Sequence, residues 1–269
     1  MSAQPTCDAT RPEDAALLLF AHGTSDGGGA AIATALASAV RRRGPFAAVG
    51  TSFALQSPSP AAALAALPQR RVVVVPLLAT EGGVARMVLP RLLAESGATD
   101  RLTVLPPLGL DPEVVGIAAD LADSAMAAAG LDPARTCVLM AGHGSVRRPA
   151  SERSTTALVD ALAAMGRYGE VGAIYLEQPP LASNWSGVTG CPDVVVVPFF
   201  LSGGHHEEED LPAMLRDGGG SLDGRTIEGR RLWLTPAVGR HPRLADLIRR
   251  RALAALGRNM ENEEGRDPA

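Results

Sequence analysis

The stretch VVVVPLLATEGG at 72–83 is matched by VVVVPFFLSGGH at 194–205. In both, four valines precede a proline and a loop that contains two consecutive glycines. A β-branched run bounded by such turn residues predicts a short strand followed by a loop. Near-continuous apolar strands, in place of alternating ones, indicate a parallel sheet that is covered on both faces. We therefore predict that each stretch contains a central strand of a parallel sheet.

Six further apolar runs surround these strands and alternate with longer Ala- and Leu-rich stretches. They lie at 17–20, 47–55, 102–105, 136–141, 171–176 and 232–235. Strands that alternate with helical segments predict right-handed crossovers and a doubly wound layer. The predicted fold class is therefore α/β, with two duplicated doubly wound parallel-sheet domains of about four parallel strands each.

Short motifs repeat at a nearly constant separation along the chain. AHGT at 21–24 corresponds to GHGS at 142–145, which lies 121 residues later. Leu-Pro at 89–90 corresponds to Leu-Pro at 211–212, which lies 122 residues later. A separation that recurs over several landmarks indicates an internal duplication.

The same separation aligns LQSPSP at 55–60 with LEQPPL at 176–181, and we pair Gln56 with Glu177. The Gly-rich insertion at 217–229 is expected to be a surface loop. The resulting predicted organisation is an N-terminal domain at 13–132, a C-terminal domain at 133–258 and a mobile polar tail at 259–269.

Composition excludes several classes of function. All 25 basic residues are Arg, so a lysine Schiff base, a Walker lysine and a lysine general base are excluded. Three scattered cysteines encode neither a disulfide framework nor an iron–sulfur motif. A net charge of −4 gives no general attraction to nucleic acid. Since we find neither a secretory signal nor an 18-residue apolar run, we expect a cytoplasmic protein without membrane or nucleic-acid partners.

Histidines mark the predicted carboxyl ends of the strands, where open α/β sheets bind their ligands. In the second half, His143, Glu177 and His206 follow successive strands and can converge on one crevice. Two imidazoles and a carboxylate suit Fe²⁺, Co²⁺, Ni²⁺ or Zn²⁺ better than Mg²⁺ or Ca²⁺. The first half has His22, Gln56 and Val84 at the matched positions, so we assign the active crevice to the second half.

Each histidine also has a simpler interpretation. A lone His22 or His143 can be a hydrogen-bonded core residue, and His241 before Pro242 can cap or pack the last helix. The run HHEEED at 205–210 can be a solvated first helical turn or a path for hydrated cations. Phosphoryl transfer by the His-Gly histidines is disfavoured, because Ala or Gly precedes them where an Arg is expected.

The motifs AGHGS, YLEQPP and VVVVPFFLSGGHHEEEDLP together resemble those of the class II tetrapyrrole chelatases. Within this class they are most similar to sirohydrochlorin chelatases of the CbiX/SirB type, over residues 17–255. The resemblance implies two chelatase-like α/β domains and ATP-independent insertion of Co²⁺ or Fe²⁺, with Ni²⁺ as a further option, into sirohydrochlorin. It implies no permanent cofactor and a place in cobalamin or sirohaem biosynthesis. A non-catalytic metal or tetrapyrrole carrier is the alternative, and monomer and homodimer both stay open.

The resemblance also implies residue roles. His143 and His206 would be catalytic, binding the metal and taking up protons, while Glu177 would be a third ligand, orient an imidazole or accept a proton. Counting eight residues from Pro198 selects His206 over His205, which is expected as an auxiliary ligand. Sirohydrochlorin carries eight carboxylates, so polar residues after the GHGS turn are predicted to bind it, unless they are an ordinary solvated helix start. These residues are Ser145, Arg147, Arg148, Ser151 and Arg153.

Overall fold

The computed structural model describes residues 11–24, 28–145, 150–215 and 221–264. In these ranges the strands form two mostly parallel sheets, one of four strands and one of five. The first, in the order β2-β1-β3-β4, contains β1 Ala16–Ala21, β2 Ala48–Phe53, β3 Val72–Pro76 and β4 Leu102–Val104. The second, in the order β6-β5-β7-β9-β8, contains β5 Thr136–Gly142, β6 Glu170–Tyr175, β7 Asp193–Pro198, β8 Arg225–Ile227 and β9 Arg230–Leu234. The predicted α/β class is confirmed.

Helices cover both sheets. The α-helices are α1 Ala31–Arg43, α2 Pro60–Ala65, α3 Leu89–Glu95, α4 Glu113–Ala129, α5 Ala150–Ala163, α6 Leu211–Leu215 and α7 Arg243–Glu264. Short 3₁₀ turns span Pro12–Asp14, Gly28–Ala30, Thr99–Arg101, Leu108–Leu110, Pro133–Arg135, Ala182–Gly187 and Val238–Arg240. Two π-helical turns, Val84–Val88 and His206–Asp210, precede α3 and α6. Within the described ranges, no helix is both long and apolar enough to cross a membrane.

The valine strands β3 and β7 lie at the centre of the core. All four valines of each strand are buried, because helices pack on both faces of each sheet. One apolar cluster joins the two halves and includes Val73, Val195, Ile32 and Leu244. Helix α1 packs against α7, and α4 packs against β7. The two sheets therefore share a continuous core.

The structure differs from the sequence prediction at the end of the second sheet. Residues 225–227 form the antiparallel edge strand β8, which pairs with β9, so the predicted loop over 217–229 is wrong there. The connecting residues Glu228 and Gly229 have φ of +48° and +79°, as a two-residue hairpin turn requires. Glu is uncommon in the first position of such a turn, so the sequence did not predict this hairpin.

The C-terminal helix extends further than expected. Helix α7 continues to Glu264, into the segment predicted to be a mobile tail, where the good helix formers Met260, Glu261, Glu263 and Glu264 outnumber the asparagines. Residues 265–269 lie outside the described part of the chain. The domain boundaries at 132 and 258 stay predictions.

Two glycines permit the closest approach between loops at the carboxyl ends of the strands. A Cβ on Gly239 would lie 2.9 Å from the carbonyl carbon and oxygen of Leu201. A Cβ on Gly109 would lie 2.6 Å from the Cα of Ala79. Backbone atoms cannot move aside as a flexible side chain can, so these positions require glycine.

We expect Gly109→Ala and Gly239→Ala each to lower the free energy of unfolding by about 1–3 kcal/mol, as overpacked cores do. Gly257→Ala in α7 is the control, since no described atom outside the neighbouring turns of its own helix lies within 4 Å of its Cβ position. That change should raise stability by up to about 1 kcal/mol, because alanine is the better helix former. Urea denaturation measures all three, and unchanged midpoints for Gly109→Ala and Gly239→Ala would contradict the expected steric conflict.

Candidate metal site between the two sheets

The central strands of both sheets end at one cleft of about 370 Å³. Its lining residues lie at 22–24, 77–80, 82–84, 142–145, 155, 199–204, 206 and 207. The loops after β1 and β3 therefore form one wall, and those after β5 and β7 form the other. The wall from the first half was not predicted from the sequence. The assignment of the active residues to the second half stays a prediction.

His143 and His206 meet in this cleft. Their Nε2 atoms are 3.2 Å apart, and their ring centroids are 4.6 Å apart with planes at 87°. His143 follows β5 directly, while His206 begins the π-helical turn that follows β7. The parallel neighbours β5 and β7 end at the same sheet edge, which brings these two side chains together.

Each ring also has a hydrogen-bond partner at Nδ1. Nδ1 of His143 lies 2.9 Å from the carbonyl oxygen of Gly144, which can only accept a hydrogen bond. Nδ1 of His206 lies 2.7 Å from Oδ2 of Asp210. In a neutral imidazole a proton on Nδ1 leaves a lone pair on Nε2. With both rings in this tautomer the two Nε2 lone pairs would face each other, and a cation between them would stabilise that arrangement.

The spacing of the two Nε2 atoms fits one transition ion. Metal–nitrogen bonds of about 2.0–2.1 Å place two ligand nitrogens of a tetrahedral ion about 3.3 Å apart. The observed 3.2 Å is close to this value. Among the described residues, no group of three or more His, Cys, Asp and Glu side chains could hold a metal ion. The described chain therefore offers such an ion two imidazoles and leaves its other coordination positions open.

The π-helical turn His206–Asp210, hereafter the histidine turn, sets the orientation of His206. It places Asp210 four residues later against Nδ1 of the imidazole, and turns of this kind often occur at functional sites. The first half forms the same turn at Val84–Val88, where valines replace both the histidine and the aspartate. The H-x-x-x-D spacing is present in the sequence, but Asp210 was not predicted to be a site residue.

Glu177 contacts the other side of His143. Its Oε2 atom lies 3.6 Å from Nδ1, and its side chain is 56% exposed. Glu177 thus touches the imidazole edge and not the point between the two Nε2 atoms. This geometry favours the orienting role over direct coordination, and the role of Glu177 as a metal ligand stays a prediction.

Gln178 has the structural position that Gln56 has in the first half. Oε1 of Gln178 accepts a hydrogen bond from the backbone N–H of Ser145 at 2.7 Å. Oε1 of Gln56 accepts one from the N–H of Thr24 at 2.9 Å. Gln178 is buried, so it fixes the turn after His143 from inside the protein. Gln178 was not predicted to be a site residue from the sequence.

The pairing of Gln56 with Glu177 is therefore wrong by one residue. The N–H of Glu177 donates to the carbonyl of His143 at 3.0 Å, and the N–H of Leu55 donates to that of His22 at 3.1 Å. Glu177 thus corresponds to Leu55. The separation between matched residues increases from 121 to 122 before this loop. Glu177 and Gln178 are adjacent and similar in shape, so the sequence alone does not show which of them matches Gln56.

The remaining histidines differ in position. His205 pairs with Glu209, with Nδ1 and Oε1 3.0 Å apart, and it is not among the residues that line the cleft. His22 does line the cleft. Its pKa is lowered, first by desolvation in the cleft and then by its electrostatic interaction with His143 and His206.

The predicted substrate-binding residues are only partly described. Ser145 lines the cleft, and Arg153 lies exposed on α5. Arg147, Arg148 and the side chain of Ser151 lie outside the described part of the chain. Their binding of carboxylates stays a prediction.

Two doubly wound sheets that end at a shared cleft, with an imidazole pair in it, define a duplicated α/β protein with a candidate transition-metal site. The chain belongs to the CbiX family, whose model matches residues 16–125 and 137–255.

Individual relatives agree with this assignment. A Halobacterium salinarum protein described as a probable sirohydrochlorin cobaltochelatase is 28% identical, over 89% of this chain and 91% of its own. The solved structure of CbiX, described as the terminal enzyme for biosynthesis of siroheme in denitrifying bacteria, is 27% identical with a TM-score of 0.71, over 89% and 98% of the two chains. DR2241 of Deinococcus radiodurans shares the fold at 24% identity and a TM-score of 0.72, over 88% of this chain. This chain spans about half, 54%, of DR2241.

Proposed function

We propose that this protein inserts a divalent metal ion, Co²⁺ or Fe²⁺, into sirohydrochlorin without ATP. The observation that carries the proposal is the facing pair of Nε2 atoms, 3.2 Å apart in the cleft. The names of the relatives supply the substrate, one as a cobaltochelatase and one as an enzyme of siroheme biosynthesis. These names point to different metals, so both ions are candidates.

The imidazole pair suits the exchange that insertion demands. The ion must lose water and gain four ring nitrogens, while two pyrrole protons leave. Two neutral imidazoles bind a borderline ion less tightly than thiolates do, so the ion can be released. The open coordination positions admit the incoming nitrogens. Glu177, at the solvent-exposed edge of His143, would orient the ring or carry a released proton outward.

The walls of the cleft suit the flat, apolar ring of a tetrapyrrole, whose carboxylates would lie at the edge of the ring. The first half contributes Leu77, Leu78 and Ala79, and the second half contributes Phe199, Phe200 and Leu201. Apolar walls with a few polar groups at one end are typical of sites that bind small molecules. The macrocycle would lie between the walls with its nitrogens toward the histidine pair.

An insertion assay tests the proposal. Purified protein is mixed with metal-free sirohydrochlorin and Co²⁺, or with Fe²⁺ under anaerobic conditions, and the loss of the metal-free absorbance is followed. We expect a rate that increases with protein concentration above the uncatalysed rate. Binding of either reactant without faster insertion would contradict the enzyme and indicate a carrier.

We expect Glu177→Leu, which introduces the residue of the first half, to lower kcat for insertion by about 10-fold or more, as loss of a partner that orients a metal-binding histidine does. Glu177→Gln should be impaired less, because the amide keeps the length and the polarity of the side chain beside the imidazole. KM for sirohydrochlorin should change little. Steady-state kinetics measure both constants, and a kcat equal to that of the unmodified protein in Glu177→Leu would remove Glu177 from the mechanism.

A further inference from the structure

A charged cluster holds the histidine turn through the two residues that follow His206. Arg240 ends the 3₁₀ turn after β9, and its Nε lies 2.5 Å from Oε1 of Glu207. Its Nη2 lies 2.7 Å from Oε1 of Glu208. One guanidinium thus binds the two residues that directly follow His206. We call Arg240, Glu207 and Glu208 the arginine clamp.

The inner half of this clamp is buried. The side chain of Glu207 is 9% exposed, and Glu207 contributes to the cleft wall. Its Oε2 atom is buried and has no hydrogen-bond partner among the described residues. A buried carboxylate needs compensation for its lost hydration, so this side chain depends on Arg240. The hydrogen bond that Arg240 donates to Glu207 in turn raises the pKa of Arg240, which stays charged.

The backbone that carries Arg240 is itself fixed. The N–H of Gly239 donates to the carbonyl oxygen of Phe200 at 2.8 Å, in the loop that leads from β7 to the histidine turn. The missing side chain of Gly239 allows this approach, as described above. Arg240 is therefore connected to the loop before His206 through the backbone of Gly239, and to the two residues after His206 through its own side chain.

The first half contains the corresponding π-helical turn without an arginine clamp. Its 3₁₀ turn Leu108–Leu110 has the same anchor, since the N–H of Gly109 donates to the carbonyl of Leu78 at 2.9 Å. Leu110 occupies the place of Arg240, and Ala85 and Arg86 occupy those of the glutamates. The π-helical turn at Val84–Val88 forms nevertheless. The clamp is thus not needed to form such a turn, and it accompanies the half that carries the histidine.

We infer that Arg240 is a positioning residue that holds His206 at its distance from His143 through Glu207 and Glu208. A guanidinium that contacts two carboxylates restricts both the rotation and the translation of the turn, which a single point charge does not. Loss of the clamp would let the two Nε2 atoms separate and weaken their joint hold on the ion. This inference rests on the proposed metal site.

The test compares Arg240→Met with the matched control Arg231→Met. Arg231 also makes two contacts with a buried carboxylate, Asp193, at 2.6 and 2.9 Å, but at the opposite end of β9. Co²⁺ is titrated into each protein alone and followed by its visible absorption, and insertion kinetics and urea denaturation are measured in parallel. The conservative Arg240→Lys keeps the charge but not the two-point contact.

For Arg240→Met we expect kcat to fall about 10- to 100-fold, Co²⁺ affinity to fall about 10-fold or more and KM for sirohydrochlorin to stay within about 2-fold. Arg240→Lys should recover part of the Co²⁺ affinity, and Arg231→Met should lose stability while keeping both functions. If Arg240→Met does not fold, Glu208→Gln carries the test, since it keeps the buried pair and weakens the second contact. In that variant, Co²⁺ affinity should fall by a smaller factor.

Equal Co²⁺ affinity and kcat in the Arg240 variants and the Arg231 control would overturn the inference and leave a purely structural ion pair. If Arg240→Met does not fold, unchanged Co²⁺ affinity in Glu208→Gln would overturn the inference. If the unmodified protein binds Co²⁺ but inserts none, the proposed function fails separately. A loss of Co²⁺ affinity in Arg240→Met would then still support the positioning role.

Discussion

His143→Ala and His206→Ala are each expected to reduce the rate of metal insertion at least about 100-fold, because each removes one of the two facing Nε2 atoms. One remaining imidazole can neither define the position of the ion nor replace the proton acceptor that is lost. Initial rates of insertion with Co²⁺ measure the effect. Circular dichroism of each variant confirms that the protein has folded, since both side chains are partly exposed.

His22→Ala is the matched control for these two substitutions. His22 follows β1 as His143 follows β5, and it lines the same cleft. The first half of the chain lacks a second imidazole, because Val84 occupies the position that corresponds to His206. We expect insertion to fall by less than about 10-fold. If His22→Ala proves as damaging as His143→Ala, the assignment of the ion to the pair His143 and His206 is wrong.

Asp210→Asn should lower Co²⁺ affinity or kcat by about 10- to 100-fold, the usual effect of losing a carboxylate that orients a metal-binding histidine. The amide keeps the shape of the side chain and can still accept the Nδ1 hydrogen bond, but it removes the negative charge that makes the imidazole a better donor to a metal. Co²⁺ titration and insertion kinetics measure the two effects.

Glu209→Gln provides the comparison on the same turn. Glu209 contacts His205 and not His206, at a similar hydrogen-bond distance. This variant should keep Co²⁺ affinity within about 2-fold. Losses of equal size in Asp210→Asn and Glu209→Gln would show that the net charge of the turn matters, and not the orientation of His206.

The sequence predicted those parts of the fold that rest on local patterns. The valine runs at 72–75 and 194–197 are buried strands, because only an apolar run can lie at the centre of a sheet covered on both faces. The histidines at 143 and 206 lie together because parallel strands end at one edge. The hairpin of β8 and β9 was not predicted, since its turn begins with Glu228, a residue that seldom adopts positive φ.

Other features of the site depend on contacts that are distant in sequence. No local sequence pattern indicates that Gln178, and not Glu177, matches Gln56. The match is seen only in the structure, where Gln56 and Gln178 accept hydrogen bonds from corresponding backbone N–H groups. The clamp by Arg240 joins residues more than 30 positions apart, and the wall from the first half requires the shared core. Motif spacing could identify the two imidazoles, but it could not identify the residues that orient them.

The most direct test is a crystal structure with Co²⁺, with data collected at the cobalt absorption edge. A single anomalous peak should lie about 2.0–2.2 Å from Nε2 of both His143 and His206. Cobalt bound at His205 and Glu209, or at one imidazole with the other ring turned away, would contradict a metal site built on the facing histidine pair.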